Sequence, residues 1–385
     1  MSISPTDIRD ACHARAAWLV ETIAALARLE SPSGDADALH RCGVAITTLL
    51  EDAGALVEAL DGGTAGAHLR ATFGTGERQV LLLGHFDTVW PIGTIEQMPV
   101  EVRDGRLYGP GTFDMKAGLV LAICAARVVA PALRRLRLRC LFTVDEEVGS
   151  ETSRGLIEAE ARSSDAVLVF EPALPGGVLK TARKGVGTWR LDVHGVSAHA
   201  GISPEAGASA ITELARQILA MHELQAPALG TTINAGVVAG GSRSNVVAEH
   251  AHAEIDVRVS AAAEQARIER AFAALDAADP RVRLAWRGGF DRPPMERGPH
   301  VQRLFAVARE AGAALGLEVG EGATGGASDG NFTAALGVPT LDGLGAIGDG
   351  AHARHEHVEI ASLADRAALA AAIILRLDET AVAAD

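Results

Sequence analysis

His85 and Asp87 stand at the end of an apolar run, LLLGHFDT, where burying either group alone is unfavourable. An imidazole there suits a divalent cation, and a carboxylate two residues on suits the task of fixing the ring's tautomer and orientation. Further along, Asp114 in GPGTFDMKAG, the Glu146–Glu147 pair in DEEVGS and Glu171 in VFEP occupy equivalent places, after core strands or in the turn beyond them. The segment DGAHARHEHVEI offers His352, His355 and His357 as a further donor. In open α/β sheets the carboxyl ends of strands are where ligands collect. Carboxylates gathered at one such edge would repel one another and lose hydration, and one or two divalent cations resolve that conflict. Mixed histidine and carboxylate donors without cysteine suit Zn²⁺, with Mn²⁺ or Co²⁺ also compatible.

The elements that must position these groups are legible from periodicity. Val80–Leu83, four consecutive aliphatics, predict a strand covered on both faces. Helices are expected over 6–30 and 35–53, strands near 55–60, 66–73 and 79–85, and an Asp-Gly hairpin over 101–108. Asp114 precedes a helix running to about Val129, and strands ending on Asp145 and Glu171 follow. From about Lys184 to Arg292 the pattern changes to strand (187–194), helix (204–223), strand (231–238), strand (246–259), helix (261–276) and strand (281–287). That β-α-β-β-α-β order is ferredoxin-like. The expected architecture is an α/β catalytic domain with a mixed sheet (1–183 and 293–385), interrupted by an inserted α+β domain (184–292). After the insert come a helix (300–316), a strand (317–320), a helix (330–336), a strand (338–341) and an alanine-rich helix (359–378).

Composition bounds the partners. The 385 residues are 48% hydrophobic and 22% charged, which permits a large core and excludes global disorder. A net charge of −14 argues against nucleic acid, whose phosphates demand a basic surface. Cys12, Cys42, Cys124 and Cys140 are widely spaced with no CxxC, as expected of reduced, buried thiols in a cytoplasmic protein. The N-terminal residues lack a basic and apolar leader pattern, and no apolar stretch is expected to be long enough to cross a bilayer.

Together, HFDTVW, GPGTFDMKAG, DEEVGS, EPA, GGASDGNF and GAHARHE resemble the di-zinc carboxypeptidase and aminoacylase family of glutamate carboxypeptidase, acetylornithine deacetylase and succinyl-diaminopimelate desuccinylase. Glutamate carboxypeptidase is the member most similar in DEEVGS, DVR and GGASDGNF, and the resemblance spans nearly the whole chain. It implies that His85 and Glu171 complete one metal site, that Asp114 bridges two metals, and that Glu147 and a late histidine hold the second. The family's histidine followed four residues on by Glu matches His352 with Glu356, and His355 competes for the role. The resemblance also implies that Asp87 orients His85, that Glu146 is the general base, and that the Asp114–Met115 peptide is cis. Two adjacent metals acidify a shared water. Glu146 then takes its proton and returns it to the leaving amide nitrogen.

In the insert, the resemblance gives His199 of HGVSAHAG the part of reaching the partner subunit's active site to stabilise the oxyanion, in a homodimer formed through this domain. Asn245, Arg258 and Arg292 match positions that contact substrate carboxylate and carbonyl groups, with surface ion pairs as the alternative for the arginines. The turn Gly325–Asp329, with Gly325, Gly326 and Ser328, offers backbone donors to the same carboxylate. The expected substrate is therefore a small peptide or N-acyl amino acid with a free α-carboxylate beside the cleaved amide. An amino-acid N-deacylase is the alternative within the family. A competing reading takes GASDG as a nucleophile elbow, with Ser328, Asp349 and His352 in α/β-hydrolase order. That reading lacks a strong preceding strand and leaves Asp114, Glu146, Glu147 and Glu171 unused.

Overall fold

The run that ends on His85 is the strand Arg78–His85, paired in parallel with Leu136–Thr143 on one side and Ala166–Val169 on the other. A central strand flanked by parallel neighbours must be covered on both faces, and Val80–Leu83 are fully buried. Alternation splits them. Val80 and Leu82 face a core made with helices Ala16–Arg28, Ala117–Val129 and Leu363–Glu379. Leu81 and Leu83 pack with Ile157, Ala161 and Phe332. The complete sheet has six strands, in the order Leu56–Asp61, Ala67–Phe73, Leu136–Thr143, Arg78–His85, Ala166–Val169 and Thr340–Leu341. Its first two strands are antiparallel, so the sheet is mixed. The structure, a computed structural model, describes residues 3–380.

The chain divides into two compact units, one built from the residues up to Thr181, Arg297–Ala323 and Ser328 onward, the other from Ala182–Glu296 and Thr324–Ala327. The second unit includes a segment that sequence reading left outside the insert. Lys184 N donates to Thr324 O (3.1 Å), and Arg183 Nη1 donates to Gly326 O (3.2 Å) and Ala327 O (3.1 Å). Its four strands lie in the order Thr232–Gly240, His250–Val259, Gly185–His194 and Arg283–Arg292, all antiparallel, with helices Ala210–His222 and Ala262–Ala273. Trp189, Leu191, Val193, Ile255 and Val257 face Leu214, Met221, Ile268 and Phe272 of those helices, so one face of this sheet is core. The architecture is thus the α/β domain with a ferredoxin-like insert that the element order predicts.

Several boundaries differ. The helix expected over 6–30 is two helices, Pro5–His13 and Ala16–Arg28, each burying its own face. The strand expected at 317–320 lies at Glu321–Thr324, where its partner is Leu179–Arg183, a strand with no strong period of its own. The strand expected from 246 begins at His250, because Val247 N is already committed to Ala198 O (2.9 Å). The expectation about membrane-length stretches also needs correction. Thr112–Ala132 is long and apolar enough by length and composition, with mean hydropathy 1.6, but 78% of that window is buried as a core helix. All four cysteines are buried thiols.

That core helix approaches its neighbour backbone to backbone. A Cβ on Gly118 would lie 1.9 Å from the Phe170 carbonyl oxygen, one residue before Glu171. Gly118→Ala is expected to cost about 3 kcal/mol of stability, read as a lower urea midpoint at constant m-value. An unchanged midpoint would mean that the helix can slide aside.

Candidate metal centre

His85 is 1% exposed, and its Nδ1 lies 3.0 Å from the carbonyl oxygen of Asp87. Because a carbonyl only accepts, Nδ1 carries the proton and Nε2 presents its lone pair, the tautomer a metal requires. Nε2 is buried without a hydrogen-bond partner. It sits 3.4 Å from Asp114 Oδ1 and 3.4 Å from Glu171 Oε1. A buried lone pair facing two carboxylates is unfavourable until a proton or a cation enters. Burial alone would depress the His85 pKa, yet Asp114, Asp87 and Glu171 raise it well above the usual imidazole value. The cluster therefore demands positive charge.

Asp114 turns its two oxygens toward two different histidines. Oδ1 faces His85, and Oδ2 lies 3.5 Å from Nε2 of His352. The same His352 nitrogen is 3.2 Å from Glu147 Oε2. Donor atoms of His85, Asp114 and Glu147 fall within 4.8 Å of one another. Hydrogen bonds that Asp114 and Glu147 accept push the His352 pKa up to about 10, and His352 takes a left-handed backbone, φ +59°, unusual for a side chain with a Cβ. Burial raises the Glu147 pKa, and Asp114 adds to that shift.

Asp114 lies in the irregular turn Thr112–Lys116, with a cis peptide to Met115 and non-helical dihedrals at both residues. A carboxylate far away in sequence and the turn's own lysine hold it. Glu356 Oε1 accepts from Phe113 N (2.9 Å) and Asp114 N (3.0 Å), and Oε2 accepts from Gly111 N (2.9 Å) and Trp90 Nε1 (2.8 Å). Burial pushes the Glu356 carboxyl up to about 7, against the opposing pull of those donors. From the other side, the fully buried Lys116 donates through Nζ to Leu26 O (3.0 Å) and Leu29 O (2.8 Å). Sequence reading used Glu356 only as a spacing mark after His352. The signal was an acid inside a histidine-rich segment that ends up 1% exposed.

Asp87 does more than orient His85. Its carboxylate is 3.4 Å from His85 Nδ1, but the better contacts are elsewhere. Oδ1 accepts from Glu146 N (3.2 Å), and Oδ2 accepts from Glu147 N (3.1 Å) and Ser33 Oγ (2.7 Å). One carboxylate thus fixes the turn Glu146–Val148, so Glu147 can reach the donor cluster while Glu146 stays half-buried beside it. Asp87→Asn would place an amide NH₂ against donors. It is expected to lower activity about 10- to 100-fold while part of the metal stays bound. Metal loss equal to that of His85→Ala would refute this division of labour.

The remaining predicted residues fall into two groups. His355 is exposed and lies 3.7 Å from Asp349, while His357 is buried with Nδ1 on His355 O (2.8 Å), so His352 is the late histidine at the cluster. Ser328 corrects one expectation, the donor to substrate, and counts against the competing elbow reading. It is fully buried, its Oγ donates to Asp342 (2.7 Å) and its N–H is spent on Asn331 Oδ1 (2.9 Å). It therefore offers neither a nucleophile paired with His352 nor a donor to substrate. Gly325 and Gly326 are exposed, in the segment that belongs to the second unit.

Within that unit, the loops carrying His199 and Asn245 meet, Ala200 N donating to Asn245 O (3.0 Å). His199 Nδ1 accepts from Gly201 N (3.1 Å) and Ile202 N (3.2 Å), so its proton sits on Nε2, the arrangement of an outward-facing donor. Arg258 forms a two-pronged pair with Asp256 (2.9 and 2.8 Å), the surface ion pair rather than a waiting carboxylate fork. Arg292 is half-buried at a strand end just after a register shift.

The model of peptidase family M20/M25/M40 matches residues 81–376, a span that contains His85, Asp114, Glu147, Glu171 and His352. The chain belongs to peptidase family M20/M25/M40. Among curated relatives it is 30% identical over 376 residues to carboxypeptidase G2 of Pseudomonas sp. (strain RS-16), covering 93% of this chain and 89% of that protein. It is also 30% identical over 332 residues to succinyl-diaminopimelate desuccinylase of Xanthomonas oryzae pv. oryzae (strain PXO99A), covering 80% and 86%. The crystal structure of aminopeptidase PepT from Bacillus cereus ATCC 10987 superposes with TM-score 0.77 at 26% identity, covering 93% of this chain and 98% of that one. This M20 chain is therefore a metallopeptidase-family hydrolase with a mixed-sheet catalytic domain and an insert. Its relatives carry different activities in their names at the same identity, so membership does not fix the substrate.

Proposed function

We propose that this M20 hydrolase cleaves an amide bond next to a free α-carboxylate and releases a C-terminal amino acid, as a glutamate-type carboxypeptidase. The observation that carries the hydrolytic centre is Asp114, whose two oxygens face His85 and His352 from opposite sides. His85, Asp114 and Glu171 would hold one Zn²⁺, and Asp114, Glu147 and His352 a second, with Mn²⁺ or Co²⁺ as alternatives. When bound, such ions lower the pKa of a water and polarise the scissile carbonyl. Glu146 accepts the proton as the carbonyl is attacked and delivers it to the departing nitrogen. The relatives named a carboxypeptidase and a desuccinylase support an amide bond beside an amino-acid carboxylate, and the second keeps N-acyl-amino-acid deacylation as the alternative.

Activity should be abolished by a chelator, restored by Zn²⁺ and indifferent to serine-directed reagents. Amidating the α-carboxylate is expected to lower kcat/KM by about 100-fold or more, because the groups built to pair with it are left unpaired. Equal rates on acid and amide would sink the carboxypeptidase reading.

The homodimer belongs to the same proposal. The edge strand Thr232–Gly240 carries half-exposed Val237 and Val238, an apolar edge that a second copy would cover. Light scattering on the purified protein should give twice the chain mass. A fully active monomer would remove the role given to His199.

A further inference from the structure

Arg366 is 5% exposed on the helix Leu363–Glu379, whose other buried residues, apart from Asp378, are all Ala, Leu or Ile. We propose that Arg366 is a positioning residue for Glu171, holding residues 343–346 against the strand end that carries this metal donor. The inference rests on the metal-centre reading above.

The contacts run in two steps. Arg366 Nε donates to Gly345 O (2.9 Å), Nη1 to Gly177 O (2.9 Å) and Nη2 to Gly343 O. Gly345 N in turn donates to Glu171 O (2.9 Å). One glycine thus joins the guanidinium to the main chain of Glu171. The bonds on either side extend the same ladder, Leu344 N donating to Val169 O (3.1 Å) and Ala173 N to Ala346 O (3.0 Å). Opposite, Phe170 N donates to Leu83 O (2.9 Å), so the stretch that ends on Glu171 is gripped between the central strand and residues 344–346. The fit is close. A Cβ on Gly345 would lie 2.4 Å from Phe170 O and 2.6 Å from Glu171 O.

A charge buried against neutral acceptors is an unfavourable way to fill a core position. Burial pushes the Arg366 pKa down to about 10, and no carboxylate opposes that shift. Leucine or methionine would fill the helix face without this penalty if packing were the only requirement. What arginine adds is a rigid planar fork that reaches three carbonyls on two segments at once. Metal donors must be held to within about 0.5 Å, and Glu171 Oε1 stands 3.4 Å from His85 Nε2. A shift at Gly345 passes to Glu171 through a single hydrogen bond. Asp114 and Glu147 are held instead by Glu356 and Asp87, so the effect belongs to the site that Glu171 completes.

The test measures stepwise Zn²⁺ affinity by chelator competition on the purified protein, on Arg366→Lys and Gly345→Ala, and on each change combined with Glu171→Ala. Lysine keeps the charge and loses the fork, whereas alanine at Gly345 forces the two segments apart. The two variants are read independently, so one that fails to fold leaves the other to decide. Each is expected to weaken one of two Zn²⁺ ions by about 10- to 100-fold and to leave the other within about twofold. Neither should weaken binding further once Glu171 is alanine, because the loss acts through that residue. A brace with no bearing on Glu171 would lower Tm and leave both affinities unmoved. That result, equal loss at both sites, or further loss in the Glu171→Ala background overturns the proposal. If the wild-type protein binds no divalent cation, the metal-centre reading fails instead. Amide hydrogen exchange then decides the brace: faster exchange in Arg366→Lys confined to residues 169–173 and 344–346 supports it, and unchanged exchange there overturns it.

Discussion

Glu146→Gln is expected to lower kcat by about 10²- to 10⁴-fold with no change in metal content per subunit. The amide keeps the size of the carboxylate but cannot accept the proton of the attacking water. Glu146 is placed by its main chain. Its backbone N–H is held by Asp87 Oδ1, and the turn is closed by Ser150 N on Asp145 O (2.7 Å). Glu147, the neighbour whose carboxylate lies 3.2 Å from His352, keeps its place among the donors. The pair of measurements, steady-state kcat and metal analysis of the dialysed protein, separates base from ligand. If metal is lost in proportion to activity, Glu146 is a ligand and the two glutamates must exchange roles.

Glu356→Ala removes the acceptor for three backbone N–H groups and one indole N–H at once. Each buried donor left unpaired costs about 1–3 kcal/mol, so the loss is a large share of an ordinary folding free energy of about 5–15 kcal/mol. Glu356→Gln separates positioning from folding. It leaves one oxygen acceptor and turns an NH₂ toward two donors, so the Asp114 turn is misplaced while the core is spared. The glutamine variant is expected to fold, to bind metal about 10- to 100-fold more weakly, and to recover part of its kcat when metal is supplied in excess. Wild-type metal affinity in a folded glutamine variant would show that Lys116 and the sheet alone position Asp114.

These two residues show what a linear reading can reach. Glu146 was legible because it follows an apolar strand in a pair of acids, and strand ends in α/β sheets are where side chains escape the core. The same reasoning reached His85, Asp114, Glu147 and Glu171, which the fold does gather. Glu356 was not legible as a support, because its partners lie 242–266 residues away and nothing local distinguishes a cradling carboxylate from a solvated one. Asp87 was legible as a neighbour of His85 but not as the clamp on the Glu146–Glu147 turn, 59 and 60 residues off. Ser328 was misread as a backbone donor to substrate, because nothing local shows that its N–H is already spent on Asn331 Oδ1.

The sequence by itself determined the layers, the insert and the donor types, because hydrophobic period and residue chemistry are local properties that survive any arrangement of the chain. Only the tertiary structure decided which late histidine faces Asp114, which glutamate joins the cluster, and what holds the Asp114 turn. Those choices rest on ångström-scale distances between segments far apart in the chain. In a buried, charged site, such distances decide whether a group acts as a ligand, a base or a brace.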